Sequence, residues 1–101
     1  MILITGGLGY LGARIANYLI NSEKKVLLGI RSNTNIIPDE LKGCEICIFD
    51  MADKASLRKA CNRVDAIIHL AGMNSEDCNL DPEKAILINS KGTLDLLNAA
   101  K

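Results

Sequence analysis

A glycine-rich segment stands directly behind the first short apolar run of the chain. It reads Thr5-Gly6-Gly7-Leu8-Gly9-Tyr10-Leu11-Gly12 and satisfies G-x-G-x-x-G from Gly7 and G-x-x-G-x-x-G from Gly6. Between a strand and a helix, such glycines allow a tight turn, a close approach of pyrophosphate to the backbone, and close helix–strand packing. The N–H groups at the helix start also attract pyrophosphate. The segment predicts a dinucleotide-binding turn, with a purely structural sharp turn as the alternative.

The rest of the chain alternates short apolar runs with helical patterns, which is typical of a parallel sheet with crossover helices. Strands are predicted at residues 1–5, 25–30, 45–49 and 66–70. Helices are predicted at residues 10–21, after Asp53 as N-cap, and from Pro82 to the chain end, with Asp81 as N-cap. Residues 31–38 are predicted to be irregular, and residues 39–43 to form no more than a turn. The pattern predicts one α/β domain over residues 1–101, a Rossmann-type doubly wound parallel sheet of strand order 3-2-1-4.

In the first predicted helix, four apolar residues recur at i, i+4, i+7 and i+8, and this spacing places them on one face. They are Leu11, Ile15, Tyr18 and Leu19. We expect this face to pack on the sheet.

After the fourth strand, Cys78 is expected to stand alone in an accessible polar loop.

The four cysteines are expected to be reduced. Cys44 and Cys47 have the spacing of zinc and redox sites, but they flank a β-branched run. Three steps along a strand separate Cα atoms by about 10 Å, beyond the roughly 7 Å that a disulfide allows.

Composition and the length of the apolar runs exclude nucleic acids and membranes as partners. Twelve basic and twelve acidic residues cancel, and aromatic residues make up 3%. The chain therefore has neither the basic field nor the stacking platform that nucleic acids need. No apolar run approaches the roughly 20 residues of a membrane span, and no leader pattern is visible. We expect a cytoplasmic protein without a membrane or nucleic-acid partner.

The end of the second strand bears on which dinucleotide is bound. A ribose-binding acid is expected about 20 residues past the glycines, but no acid occurs between Glu23 and Asp39. Arg31 stands there instead, and a guanidinium can pair with a 2′-phosphate. NADP is therefore expected over NAD, with a solvated loop arginine as the alternative.

The sequence resembles the N-terminal part of the extended short-chain dehydrogenase/reductase family, the NAD(P)-dependent epimerases and dehydratases of nucleotide sugars. The resemblance rests on the glycine segment and on three further motifs, which are Asp50-Met51, Val64-Asp65-Ala66-Ile67-Ile68-His69-Leu70-Ala71-Gly72 and Asn89-Ser90-Lys91-Gly92-Thr93. It implies that Asp50 and Met51 hold the adenine, that Leu70 and Ala71 line the ribose and nicotinamide side, and that Asn89 orders the fourth strand. The predicted cofactor-binding residues are Gly6, Gly7, Gly9, Tyr10, Leu11, Gly12, Arg31, Asp50, Met51, Leu70, Ala71, Gly72 and Asn89.

The catalytic Tyr-x-x-x-Lys pair of that family has no counterpart in this chain. Tyr10 is followed four residues on by Arg14, and Tyr18 by Ser22. His69 is expected to pack in the wall and not to act as a base, so no catalytic residue is predicted. The chain is expected to be the cofactor-binding part of a larger enzyme, in which the nucleotide sugar would bind elsewhere. A stand-alone, non-catalytic dinucleotide sensor is the alternative.

The fourth strand and the last helix are expected to lack neighbours. The run Ala66-Ile67-Ile68-His69-Leu70 contains no proline or lysine to protect an edge, and Ile86, Leu94 and Leu97 are expected to be exposed on the last helix. We therefore predict a homo-oligomer formed through one or both of these surfaces.

Overall fold

The computed structural model of the protein describes residues 1–31 and 36–101. Its sheet has four parallel strands, β1 (Ile2–Thr5), β2 (Val26–Ile30), β3 (Glu45–Ile48) and β4 (Ala66–His69), in the order β3-β2-β1-β4. In the register, Thr5 is level with Gly29 of β2 and His69 of β4. The predicted Rossmann-type fold and strand order are confirmed. Residues 32–35 of the predicted irregular segment lie outside the described residues.

Strand β1 lies at the centre of the sheet because both of its faces are apolar. Leu3, Ile4 and Thr5 are fully buried, as expected for a parallel strand covered by helices on both sides. On one face, Ile4 packs with Val26 and Leu28 beneath helix α1 (Tyr10–Asn21). The opposite face is covered by helix α2 (Lys54–Cys61) and by the last helix.

The face of α1 that packs on the sheet is not the predicted stripe. Leu11 is 53% exposed and Tyr18 71%, whereas Gly12 and Ala16 are buried. The prediction of the buried face is wrong for Leu11 and Tyr18, because the helix approaches the sheet on its small residues. A Cβ at Gly12 would collide with the carbonyl oxygen of Gly6. Close approach, rather than side-chain size, sets the helix rotation.

In the described part of the crossover from β2 to β3, a short 3₁₀ helix spans Asp39–Leu41, in agreement with the predicted turn. Leu41 and Cys44 bury their side chains beside α1 in the same cluster as Ile4. The following α2 begins after Asp53, whose side chain accepts a hydrogen bond from the Ala55 N–H at 3.0 Å, so this predicted N-cap is confirmed.

After β4 the structure departs from the prediction. Residues 75–80 form a short helix, α3 (Ser75–Leu80), and Cys78 is half-buried in it. The prediction that Cys78 stands in an accessible loop is therefore wrong. The Asn74 side chain caps this helix by accepting from the Asp77 N–H, and Glu76 and Asp77 lie in its positive first turn.

The last helix runs from Pro82 to Ala100 in three parts. They are α4 (Pro82–Ile86), a π-helical segment (Leu87–Lys91) and α5 (Gly92–Ala100). The predicted cap is confirmed, since the Asp81 side chain accepts from the Lys84 N–H at 3.1 Å. The expected exposure is confirmed as well: Ile86, Leu94 and Leu97 are each more than half exposed.

All four cysteines are free thiols. Within the described part of the chain, none of the helices is long and apolar enough to cross a bilayer. Among the same residues, no cluster of His, Cys, Asp and Glu side chains is suited to a metal ion.

Candidate functional site

A cleft of about 820 Å³ lies at the carboxyl ends of the strands, and we call it the main cleft. This is the edge at which open α/β sheets bind ligands. Nine predicted cofactor-binding residues line it: Gly6, Gly7, Gly9, Arg31, Asp50, Met51, Leu70, Ala71 and Gly72. The other four, Tyr10, Leu11, Gly12 and Asn89, do not line it.

The glycine turn brings the chain across the end of β1 with little space for side chains. Gly6 has a φ of +69°, a conformation that favours glycine. A Cβ on Gly6 would also lie 3.0 Å from the Ala71 backbone nitrogen. The Gly9 N–H donates to the Gly6 carbonyl at 3.0 Å, and Gly12 packs against the same carbonyl. Gly6, Gly9 and Gly12 thus form one compact unit, which explains the G-x-x-G-x-x-G spacing.

The start of α1 carries no side chain that would compete with an anion. Its N-cap is Gly9, without a side-chain cap, and its first turn contains no acidic residue. The Tyr10 ring lies on the exposed surface, with its centroid 4.4 Å from Arg14 Cζ. A ligand at the helix start would therefore meet backbone N–H groups and the positive end of the helix dipole.

The β2–β3 side of the main cleft is built around Phe49. Its ring packs against Gly29, where a Cβ would collide with it. Asp50 follows, and its Oδ1 accepts from the Ala52 N–H at 2.8 Å while its own N–H donates to Ser56 Oγ at 2.8 Å. These bonds hold Asp50 and Met51 at the cleft rim. Arg31 lines the same cleft and is exposed.

On the opposite side, the segment that follows β4 forms a wall, residues 70–73, which we call the β4 wall. Thr5 Oγ1 accepts from the N–H groups of Leu70 (3.0 Å) and Ala71 (3.1 Å). Asn89 Oδ1 accepts from the Met73 N–H at 2.7 Å, and Asn89 Nδ2 donates to the Met73 carbonyl at 3.2 Å. Asn89 therefore acts on the cleft by holding the β4 wall from behind.

Sequence reasoning missed several residues of the main cleft. They are Leu8, Gly29, Ile30, Ile36, Phe49, Ala52, Met73, Lys84, Leu87 and Ile88. Phe49, Ala52 and Met73 adjoin predicted positions, so their place in the chain could have indicated them. Lys84, Leu87 and Ile88 come from the last helix, and their approach to the cleft depends on how that helix packs.

A second, smaller groove of about 250 Å³ runs between β4 and α5, and we call it the side groove. Its lining includes Cys61, Asp65, His69, Thr93 and Leu97. Burial raises the pKa of the Cys61 thiol, chiefly by desolvation. The pKa of Asp65 is lowered by a hydrogen bond from the N-terminal ammonium, 2.8 Å away, and by the charge of that group.

A parallel sheet of order 3-2-1-4, with a glycine turn after β1 opening into a cleft at the strand ends, defines the Rossmann-type class of dinucleotide-binding proteins. Within that class, the chain belongs to the NAD dependent epimerase/dehydratase family, whose model matches residues 2–101. The resemblance stated from the sequence motifs is confirmed. The chain corresponds to the N-terminal, NAD-binding part of that family.

Individual relatives agree with this membership. The UDP-glucose 4-epimerase of Neisseria meningitidis serogroup B is 33% identical over 105 residues, covering 94% of this chain and 31% of that enzyme. The structure of UDP-glucose 4-epimerase from Thermus thermophilus in complex with NAD matches with a TM-score of 0.83 and 28% identity, over 97% of this chain and 32% of that one. L-threonine dehydrogenase from Clostridium difficile also matches with a TM-score of 0.83 and 28% identity, over 98% of this chain and 32% of that one. The chain thus spans about a third of the length of these relatives.

Proposed function

We propose that residues 1–101 form a single dinucleotide-binding domain and that the main cleft holds the cofactor. The observation that carries this proposal is the glycine turn, which opens the uncapped start of α1. The pyrophosphate lies against Gly6, Gly7 and Gly9 in the main cleft. The backbone N–H groups of Tyr10 and Leu11, which lie just outside the cleft lining at the start of α1, bind it from there. Gly12 contributes mainly by letting α1 approach the turn.

The two halves of the dinucleotide lie on opposite sides of the glycine turn in this proposal. The adenosine half binds between Arg31 and the Asp50-Met51 rim, and the nicotinamide half lies along Leu70, Ala71 and Gly72. Support comes from the lining of the main cleft, which includes all six of these residues. The bound cofactor would supply the hydride-transfer chemistry, and this chain's residues would bind and orient it.

We further propose that NADP is preferred over NAD. The support is chemical: Arg31 lines the main cleft at the end of β2, where a guanidinium can form charge-assisted hydrogen bonds with a 2′-phosphate. Family membership by itself supports a nicotinamide dinucleotide without distinguishing the two.

In a longer enzyme, this part would serve the epimerisation, dehydration or reduction of a nucleotide sugar. The UDP-glucose 4-epimerase relatives support that substrate class. L-threonine dehydrogenase shares the same part of the fold, so substrate choice belongs to the remainder of such enzymes. The comparisons lend no support to a stand-alone sensor. A cytoplasmic location is also proposed, and the free thiols are compatible with it.

We propose in addition that the chain forms a homo-oligomer through β4, the last helix or both. Among the described strands, β4 pairs with β1 alone and forms one edge of the sheet. Leu97 of α5 lines the side groove beside it, and Leu94 of the same helix is also exposed.

The binding proposal is tested by placing a methyl group where the pyrophosphate must lie. At Gly9 a Cβ would meet the Gly6 carbonyl oxygen at 3.2 Å and would otherwise have open space around it within the described structure. Gly9→Ala should therefore retain the fold and lower NAD(P)(H) affinity roughly tenfold or more, as expected when charge-assisted hydrogen bonds are lost. Titration calorimetry measures the affinity, and thermal unfolding monitors the fold.

Gly43→Ala is the matched control, because its Cβ would meet nothing closer than Ile20 Cδ1 at 3.8 Å among the described residues. It should bind dinucleotide as the unchanged chain does. If the unchanged chain binds no dinucleotide, or if both variants bind equally well, the proposal is wrong.

A further inference from the structure

His69, the one histidine of the chain, bridges two threonines at the end of β4. Its Nδ1 lies 2.7 Å from Thr5 Oγ1, and its Nε2 lies 3.1 Å from Thr93 Oγ1. Thr5 ends β1, and Thr93 lies in α5. The imidazole therefore connects the centre of the sheet to the last helix, behind the main cleft and outside its lining.

The hydrogen-bond partners of His69 determine which tautomer its imidazole adopts. Thr5 Oγ1 already accepts the Ala71 N–H and the Leu70 N–H, which is shared with the Thr5 carbonyl oxygen at 3.2 Å. Two donors occupy both lone pairs of a hydroxyl oxygen. Its own hydrogen must therefore point to His69 Nδ1, and that nitrogen is an acceptor. The neutral ring then carries its hydrogen on Nε2 and donates it to Thr93 Oγ1, whose own hydrogen goes to the Asn89 carbonyl at 3.0 Å.

The series of hydrogen bonds that runs from Thr5 through His69 and Thr93 to Asn89 begins and ends on the β4 wall. At one end, Thr5 holds the N–H groups of Leu70 and Ala71. At the other end, the Asn89 side chain holds Met73 through two hydrogen bonds. His69 is the link that joins the two ends.

We propose that His69 is a positioning residue for the dinucleotide cleft, which, as the neutral Nε2–H form, locks the β4 wall between Thr5 and the Asn89 segment. The identity of the cleft's ligand rests on the proposed function. The locking of the wall rests on the hydrogen bonds alone and can be tested without a ligand.

Protonation of the ring should release this lock. An imidazolium is a donor at both nitrogens, so its Nδ1–H would face a Thr5 hydroxyl that has no lone pair left. Burial already holds the pKa of His69 below its ordinary value of 6.5. The other titratable groups lining the side groove are Asp65, with a lowered pKa, and Cys61, with a raised one. Among the described groove residues, His69 is therefore the group that gains a positive charge as the pH falls, at a pKa below 6.5.

The first test is nitrogen-detected NMR of the unchanged chain, in which the single histidine gives an unambiguous signal. We expect a hydrogen-free Nδ1 and a hydrogen-bearing Nε2 at neutral pH. As the ring titrates, at a midpoint below 6.5, the amide signals of Ala71 and Met73 should shift with the same midpoint. An Nδ1–H form, or amides that do not respond to the titration, overturns the proposal.

The second test measures dinucleotide affinity against pH in two variants of Thr93. Thr93→Val removes the hydroxyl and keeps the shape, whereas Thr93→Ser keeps the hydroxyl. The unchanged chain should bind roughly three- to tenfold more weakly once the ring is charged, a loss typical of one or two hydrogen bonds. Thr93→Val should bind dinucleotide weakly already at neutral pH, and its affinity should change less with pH. Thr93→Ser should restore both the affinity at neutral pH and its dependence on pH.

The outcomes separate this proposal from the function on which it rests. If no dinucleotide binds at any pH, the proposed function is wrong, and the amide titration alone decides the role of His69. If dinucleotide binds with no step at the ring's midpoint, or if Thr93→Val and Thr93→Ser behave alike, the positioning role is wrong and the binding function stands. If Thr93→Val does not fold, the tautomer and the pH step of the unchanged chain still decide.

Discussion

At the scale of single residues, the proposed choice between NADP and NAD depends on the end of β2. The position before Arg31 is Ile30, which is 5% exposed and belongs to the core. It offers no carboxylate to a ribose hydroxyl, whereas Arg31 offers a cation at the rim of the main cleft. The proposed preference for NADP rests on this pair of residues.

Arg31→Ala should weaken NADP(H) binding roughly tenfold to a hundredfold, the range expected for charge-assisted hydrogen bonds. NAD(H) affinity should change far less, because NAD lacks the 2′-phosphate. Titration calorimetry with both dinucleotides measures the difference. Arg63→Ala is the control, since Arg63 pairs with Glu45 at 3.5 Å, and neither residue lines the main cleft. Equal losses for the two dinucleotides would contradict the prediction.

At the scale of elements, Asp95 links the two helices that cover one face of the sheet. Its side chain is 8% exposed, and its Oδ2 lies 2.7 Å from Lys91 Nζ in the π-helical segment. Its Oδ1 lies 3.7 Å from Lys54 Nζ of α2. The hydrogen bond from Lys91 is the main cause that holds the pKa of Asp95 below its ordinary value.

Because the folded pKa of Asp95 lies below 3.8, its carboxylate contributes stability that is present above pH 3.8 and is lost as the pH falls through the folded value. Lys91→Met removes the main partner, so the pKa should rise towards its ordinary value and acid unfolding should begin at a higher pH. Circular dichroism during acid titration measures that midpoint. Lys24→Met is the control: it replaces an exposed lysine outside this pair and should leave the midpoint of acid unfolding unchanged. An unchanged midpoint in Lys91→Met would show that the pair is energetically unimportant.

At the scale of the whole molecule, the chain offers the proposed cofactor cleft but lacks the family's Tyr-x-x-x-Lys pair. Neither tyrosine has a lysine four residues on, and both lie exposed on α1. We therefore expect this 101-residue chain to convert no nucleotide sugar, even with dinucleotide present. An assay with UDP-glucose and either dinucleotide checks this. A rate clearly above that of Gly9→Ala would contradict it.

The free edge of the sheet leads to a prediction about assembly. Light scattering at micromolar concentration should report a dimer or larger species, because the outer edge of β4 is unpaired and α5 exposes Leu94 and Leu97 within the described structure. Leu97→Lys should shift the species towards monomer, since Leu97 is 60% exposed and a lysine there places a charge on the proposed contact surface. A monomer at every concentration would show that these surfaces remain solvated.

Local patterns were sufficient for the four strands and most of the helices, and they identified nine of the nineteen residues that line the main cleft. The bounds of α1, the caps at Asp53 and Asp81, and nine residues of the main cleft follow from the sequence. Periodicity, capping and the glycine spacing act over a few neighbouring residues, so a single sequence carries them. The parallel strand order follows equally, because alternating strands and helices allow few topologies.

Contacts between distant segments decided the rest. Gly12 and Ala16 face the sheet because the Gly6 carbonyl lies close to the helix, and the neighbouring Leu11 is left outside. Lys84 reaches the main cleft through the packing of the last helix, and His69 becomes the link between Thr5 and Thr93 through pairings 64 and 24 residues apart in the chain. The sequence alone therefore determined the type of site, whereas the hydrogen-bonded support behind it arose only when β1, β4 and the last helix met, because a hydrogen bond requires partners within about 3 Å.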